Sequence, residues 1–398
     1  MLEGLLIGRV RASIVLVLWV LAVPVWGQPT QWGVDFSDAI IRRYQPNINT
    51  MTGKNWDHAN SIILHGMEKI YVQTGDESYL KYIQSFVDDY VSTAGEVSGL
   101  KEELDGIHPG VLCLFLYQET GEERYRVAAQ RMRDYLIGLI DAPSVFNKTP
   151  DGGYWHKNND HYEQVMTVDG AYMANPFLVK YGRMFGDSRS IDVAVFQTLL
   201  IASHTFDIST HLPYHGWDYT KHHSWSHPIT GTSTEVWSRS VGWFSMALVD
   251  MLEYLPDTHP DYARMMHLYQ ELVQGIVATQ TDEGMWYQMM LKPNLVGNYL
   301  ESSGTGMMLY ALQKGKQSGW LANDCDWTID RAWEALQGYI RVYSDGMPLI
   351  TSFNPGMGIK DNAEEYVKVR PVDCPSERDH QHAHGYCAIL MAASVMEF

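Results

Sequence analysis

Two carboxylates stand at points where an apolar helix begins: Asp105 in LDGIHPG and Asp169 in VDGAYM. Asp169 is followed by Gly170 and then by the apolar-aromatic face Tyr172, Met173 and Phe177, so an ionisable group opens a helix whose remainder reads as buried. Asp105 taken alone reads equally well as a helix cap. The intervening stretches are polar and aromatic, with His156 and Lys157 in WHK, His215 in HGWD, and Trp237, Arg239 and Trp243 in WSRSVGW. Trp, His and Arg at such density are expensive in a loop unless they recognise something. Carboxylates in that setting are suited to acid/base work on a bound polar molecule. Other chemistries lack their marks: there is no Gly-x-Ser-x-Gly turn, phosphate loop or dinucleotide fingerprint. The histidine groups 222, 223, 227 and 380, 382, 384 lack the helical His-Glu-x-x-His spacing of a zinc site, so neither metal nor organic cofactor is expected.

The elements that must position these residues follow from a recurring local pattern. An apolar helix ends at Gly75, Gly121 or Gly186, an acid or polar residue follows, and a second helix begins, with apolar residues every three or four positions on both sides. Looser copies start near Met246 and Met308, and HGYCAILMAASVME closes the chain. Six hairpins without a linker between them predict one all-α domain closed into a ring, with the irregular loops gathered at one mouth. The run NYLESS, with Glu301, is expected to shape the inner rim of that mouth.

Arg9 and Arg11 precede an apolar run from Ala12 to Val25 and small Gly27, which predicts a signal peptide over 1–27 and a mature catalytic domain over 28–398. The protein is therefore expected to be exported, periplasmic or secreted, with no membrane span in the mature chain. A net charge of -18 argues against nucleic acid or an anionic membrane as partner. Thirteen Trp and 24 Tyr permit a sugar site, although most must fill the core. Cys113 and Cys387 lie in apolar helical stretches, and no disulfide among Cys113, Cys325, Cys374 and Cys387 is expected to be required.

Taken together and in order, the opening Trp56-Asp57-His58, LDGIHPG, WHK, VDGAYMANPF, HGWD, WSHPITG, WSRSVGW, MWYQ, NYLESS and HGYCAILMAAS resemble the unsaturated rhamnogalacturonyl hydrolases of glycoside hydrolase family 105. The unsaturated glucuronyl hydrolases of family 88 are a more distant likeness. The resemblance covers nearly all the mature chain and implies an (α/α)6 barrel. It further implies catalytic roles for Asp169 and Asp105, substrate binding by His156, Lys157, His215, Arg239 and Trp243, to which Trp237 and His58 are added, and no cofactor. The implied partner is an oligosaccharide with an unsaturated uronic acid at its non-reducing end, taken by a monomer or weak homo-oligomer. A related hydrolase for another polyanionic glycan, a polysaccharide lyase on a helical toroid and a non-catalytic glycan-binding barrel remain as alternatives. Where many members carry a Trp two residues before the catalytic aspartate, this chain has Thr167. The implied chemistry is hydration of a C4=C5 double bond rather than attack at the anomeric carbon. A proton donor at neutral pH requires an aspartate pKa above the usual value of about 3.9, which Asp105, partial burial and the substrate carboxylate are expected to supply against Arg239.

Overall fold

The three glycine turns are where the chain reverses. In the computed structural model, which describes residues 31–53, 55–142, 147–321, 325–373 and 382–398, Gly75, Gly121 and Gly186 end their helices in the left-handed region at φ 68°, 68° and 69°. Twelve helices of the described residues build the domain: α1 (Trp32–Arg43), α2 (His58–Thr74), α3 (Glu77–Asp88), α4 (Gly110–Thr120), α5 (Glu123–Asp141), α6 (Val168–Phe185), α7 (Ser188–Thr205), α8 (Ser238–Tyr254), α9 (Tyr262–Ala278), α10 (Ser302–Gln317), α11 (Asp326–Gln337) and α12 (Ala383–Met396). The even-numbered helices pack in succession, and α12 returns to α2 and closes the ring. The odd-numbered helices wrap the outside, which is the expected (α/α)6 barrel.

The last hairpin differs from the sequence expectation. No outer helix follows α12; α1, from the other end of the described chain, packs on α12 and α2 and completes the sixth pair. A contact between residues so far apart leaves no mark in a local repeat. Three short antiparallel strand pairs also interrupt the helical pattern, among them β1 (Val165–Thr167) with β2 (Gly216–Asp218).

Inner and outer helices differ in sequence for a physical reason. On α3 the buried residues Tyr79, Leu80, Tyr82, Ile83, Phe86 and Val87 form one stripe, whereas on α8 every residue from Ser238 to Leu252 is buried. A helix enclosed on all sides has no polar face to show. The inner helices approach to backbone contact: a Cβ at Gly304 would lie 2.8 Å from the Ser238 carbonyl carbon, and one at Gly306 would lie 2.7 Å from the Ala388 oxygen.

Hairpin closure makes the six inner helices run the same way. Residues at the N-terminal ends of α2, α6, α8 and α12 (Ala59, Asp169, Arg239, His384) line one cavity, while residues toward the C-terminal ends of α2, α6, α8 and α10 (Lys69, Lys180, Glu253, Lys314) line another. Cys113 and Cys387 are buried in α4 and α12 as expected, Cys325 is buried, and Cys374 lies outside the described residues. The expected signal peptide at 1–27 also lies outside them. No helix of the described residues is long and apolar enough to cross a membrane.

Candidate active site

The cavity at the N-terminal end measures about 600 Å³ and brings together His58, Asp105, His156, Lys157, Asp169, His215, Arg239 and Trp243. These are drawn from segments as far apart as residues 58 and 243, so the ring is what assembles them. Helix N-termini carry partial positive charge and free N–H groups, so a cavity ringed by them favours an anionic guest.

The two carboxylates are held in opposite ways. Asp105 sits in the short helix Leu104–Ile107 and is 2% exposed. Lys157 Nζ lies 2.7 Å and His58 Nδ1 3.4 Å from its Oδ2, and His156 Nε2 lies 3.2 Å from its Oδ1. Burial pushes its pKa up, but His58, His156 and Lys157 outweigh burial and hold the carboxyl well below the ordinary range. His58, pulled down by burial, is carried above its ordinary value by Asp105 and Asp57. Asp105 is therefore a permanent anion that orders three basic side chains.

Asp169, in the first turn of α6, has far less around it. Ser240 Oγ donates to its Oδ1 at 2.5 Å, and His215 Nε2 stands 3.8 Å from its Oδ2. Pairing of β1 with β2 puts Thr167 opposite Gly216, and the Val168 N–H donates to the His215 carbonyl at 3.0 Å, which fixes His215 beside Asp169. The His215 ring is held from behind by a 2.7 Å contact of Nδ1 with the Tyr366 hydroxyl. The expected upward shift of Asp169 is corrected here: burial raises its pKa, but His215 and the Ser240 hydroxyl prevail and the net direction is down. That direction leaves Asp169 ionised at neutral pH before a substrate enters.

Thr167 joins the two carboxylates. Its hydroxyl contacts His156 Nδ1 at 2.7 Å and accepts the Gly170 N–H at 3.2 Å as the N-cap of α6. His156 therefore stands between Asp105 at Nε2 and the Thr167 hydroxyl at Nδ1. A series of oriented bonds thus runs from Asp105 through His156 and Thr167 to the turn that carries Asp169.

Arg239, at the start of α8, is 2% exposed and lies 4.6 Å over the Trp237 ring. Its Nη1 donates to the Asn354 carbonyl, its Nε has no hydrogen-bond partner, and no carboxylate within 4.0 Å pairs with it among the described residues. Burial pulls its pKa down, Glu301 and Asp169 oppose this only from beyond contact distance, and a buried cation without a contacting anion is costly unless a ligand provides one. Trp237 departs from expectation: it is 0% exposed, does not line the cavity, and supports Arg239 and His215 (ring centroids 4.8 Å apart) from behind. Trp243 lines the cavity but spends one face on Tyr172, 5.1 Å away. Glu301 is a cap, accepting from the Ser303, Gly304 and Asn354 N–H groups, and so fixes the rim as expected.

Residues 32–397 match the family described as Glycosyl Hydrolase Family 88. The chain belongs to that family. A glycoside hydrolase of family 105 from C. acetobutylicum superposes with a TM-score of 0.82 at 26% identity, covering 93% of this chain and 100% of that one. The unsaturated rhamnogalacturonyl hydrolase YesR of Bacillus subtilis is 24% identical over 318 residues, 79% of this chain and 83% of that protein. A 24.9 kDa protein of the picA locus of Rhizobium radiobacter is 36% identical over 152 residues, 38% of this chain, and the match spans only 64% of that relative's length.

In this family 88 chain several cavity residues carried no sequence signal. Tyr162, residues 355–358 and Lys360 line the wall and Tyr366 orients His215; His384, read in the sequence only as one of a histidine group and the start of HGYCAILMAAS, opens α12 at the rim. Burial and Arg239 hold His384 well below its ordinary pKa, so it faces the cavity as a neutral ring. Ser240 lay inside WSRSVGW and was findable from its neighbours; 355–360 is a loop without periodicity, and Tyr366 lies in the short helix Ala363–Val367, too brief to show one. His223 stacks on Trp225 and His227 Nδ1 accepts backbone N–H groups of its own turn, so both have structural employment. His380 lies outside the described residues.

Proposed function

We propose that the chain is an exported glycoside hydrolase that removes a terminal 4,5-unsaturated uronic acid, galacturonyl or glucuronyl and linked to rhamnose, from oligosaccharides left by polysaccharide lyases. The observation that carries this reading is the placement in one cavity of Asp169, a lightly held carboxylate, and Arg239, a buried cation without an acidic partner. The name of the B. subtilis relative supports the substrate class.

Arg239 receives the uronate carboxylate, and His156, Lys157 and the Trp243 edge position the ring. Entry of the sugar expels water, adds an anion and occupies the nearby guanidinium, and each of these raises the proton affinity of Asp169. Asp169 thus takes up its proton on binding rather than holding it beforehand. It gives that proton to C4 while positive charge develops at C5 and the ring oxygen. A water deprotonated by the resulting carboxylate adds at C5, which restores the acid. The hemiketal opens, its proton passes to the glycosidic oxygen, and the aglycone leaves with a free hydroxyl; one water is consumed.

The test is incubation with lyase digests of several polyuronates while the ultraviolet absorbance of the conjugated double bond is followed. The expected result is loss of absorbance with release of a keto sugar. Growth of absorbance from intact polysaccharide would instead identify a lyase, and binding without any change would identify a glycan-binding barrel.

A further inference from the structure

The His215 ring has a neighbour at each nitrogen. Nδ1 lies 2.7 Å from the Tyr366 hydroxyl, and Nε2 stands 3.8 Å from Asp169 Oδ2. Asp169 Oδ1 is taken by the Ser240 hydroxyl, which leaves Oδ2, the oxygen beside His215, to carry the moving proton. An imidazole at that place endangers the chemistry. With an ordinary pKa of about 6.5 against about 3.9 for aspartate, an imidazole whose lone pair points at a carboxylic acid takes its proton.

The bonds behind the ring decide where that lone pair points. The backbone N–H of Lys360 is bonded to the Tyr366 hydroxyl, and an amide N–H can only donate, so the tyrosine oxygen is the acceptor there. Burial, with Asp169 and Glu235 adding to it, pushes the Tyr366 pKa well above the ordinary value, so the hydroxyl keeps its own proton. Tyr366 and His215 are both buried, and among the described residues no acceptor other than His215 Nδ1 lies within hydrogen-bond distance of that hydroxyl. A buried O–H without an acceptor is costly, so its proton belongs on the His215 side. The tyrosine is itself fixed: Asn362 Oδ1 accepts the Glu365 N–H at 3.0 Å to cap the short helix Ala363–Val367, and Gln288 Nε2 donates to the Tyr366 carbonyl at 3.1 Å.

We propose that Tyr366 is a positioning residue that holds His215 as the neutral tautomer with its hydrogen on Nε2, so that the ring donates toward Asp169, offers it no lone pair, and leaves the proton of hydration on Asp169. This rests on the hydrolase reading above. Tyr366 does not line the cavity and acts only through His215. In the opposite tautomer a bare Nε2 would face Oδ2, repelling the carboxylate and competing with C4 for the proton of the acid.

The experiment labels the histidine ring nitrogens of the full chain for magnetic resonance at about pH 8, where an ordinary histidine is neutral, in the wild type and in Tyr366→Phe, which keeps the ring and loses only the hydroxyl. His215→Gln identifies the His215 signals by their disappearance. The wild type should show hydrogen on Nε2 and a bare, hydrogen-bonded Nδ1. In Tyr366→Phe the hydrogen should be shared between the two nitrogens, and kcat on an unsaturated disaccharide should fall roughly 10-fold with KM nearly constant. Hydrogen on Nδ1 in the wild type would overturn the proposal, as would a Tyr366→Phe protein whose tautomer is unchanged, or whose tautomer shifts while kcat stays intact. Should Tyr366→Phe not fold, the wild-type spectrum decides: hydrogen on Nε2 upholds the proposal and hydrogen on Nδ1 overturns it. If no unsaturated disaccharide is consumed, it is the hydrolase reading that fails, and the spectra still decide whether Tyr366 sets the tautomer.

Discussion

The two ends of the barrel both bury charge, and they do so differently. At the C-terminal end of the inner helices Asp250 accepts from Lys314 Nζ and from the Tyr310 hydroxyl, each at 2.7 Å, Lys314 also reaches Glu253 at 2.6 Å, and Lys180 meets Glu68 at 3.3 Å. A cavity of about 410 Å³ lies there too, but its buried acids have cations in contact. At the N-terminal end only Asp105 has cations in contact in that way; neither Asp169 nor Arg239 has an oppositely charged Lys, Arg, Asp or Glu side chain within 4.0 Å among the described residues. A satisfied pair ties helices together, whereas an unsatisfied charge keeps its interaction energy for whatever enters. On this comparison the far end holds the ring and the near end acts.

The largest effect that would break the comparison is at Asp169. Asp169→Asn should lower kcat by about 1000-fold, in the range of a lost general acid/base, while KM moves little, because the binding cations stay in place; steady-state kinetics on an unsaturated disaccharide measure both. A near-normal kcat would remove Asp169 from the chemistry. The pH profile sharpens the same point. Since the free-protein pKa of Asp169 is below the ordinary aspartate value, its protonated fraction grows as pH falls and stays small through neutrality. kcat/KM, which reports the free enzyme, should therefore still be rising from about pH 8 toward about pH 5, while kcat, which reports the complex, levels off at a higher pH. Levelling of both at the same pH would mean that binding does not change the proton affinity of Asp169.

At the far end the effect should appear in stability and not in rate. Asp250→Asn removes the buried anion of the Lys314 network, leaving Lys314 to Glu253 alone, and should cost about 3 kcal/mol of folding free energy, read by denaturant unfolding, with kcat/KM unaltered where the protein is folded. A fall in kcat at full folding would show that the two ends communicate through Tyr172, whose hydroxyl meets His65 Nδ1 at 3.1 Å and whose ring backs Trp243.

How much of this was legible beforehand depends on the range of the interaction. Periodicity and Gly75, Gly121 and Gly186 revealed the hairpins, because a helix and its turn are local. The partnership of α1 with α12 was not legible, since it spans almost the whole chain. The residue types of the site could be read because Asp105, Asp169, His215 and Arg239 sit in dense polar motifs, but their electrostatics could not. The expectation that Asp105 raises the pKa of Asp169 assumed two bare carboxylates, and the contacts of Asp105 with His58, His156 and Lys157 exist only after folding. Trp237 was misplaced for a related reason: a tryptophan two residues from an arginine reads the same whether it faces the ligand or braces the arginine.

Thr167 offers the finest test of the difference between the two carboxylates, because its hydroxyl links the satisfied one to the reactive one. Thr167→Val preserves shape but removes both the hydrogen bond with His156 Nδ1 and the cap on Gly170. Loss of a cap alone costs about 1 kcal/mol of stability and would leave kcat untouched. If the oriented series also sets the position of Asp169, kcat should fall by roughly 10-fold with KM nearly constant, and Thr167→Ser, which keeps the hydroxyl, should recover most of it. A lowered melting temperature without a change in kcat would reduce Thr167 to an ordinary helix cap and leave Asp105 acting through its basic neighbours alone.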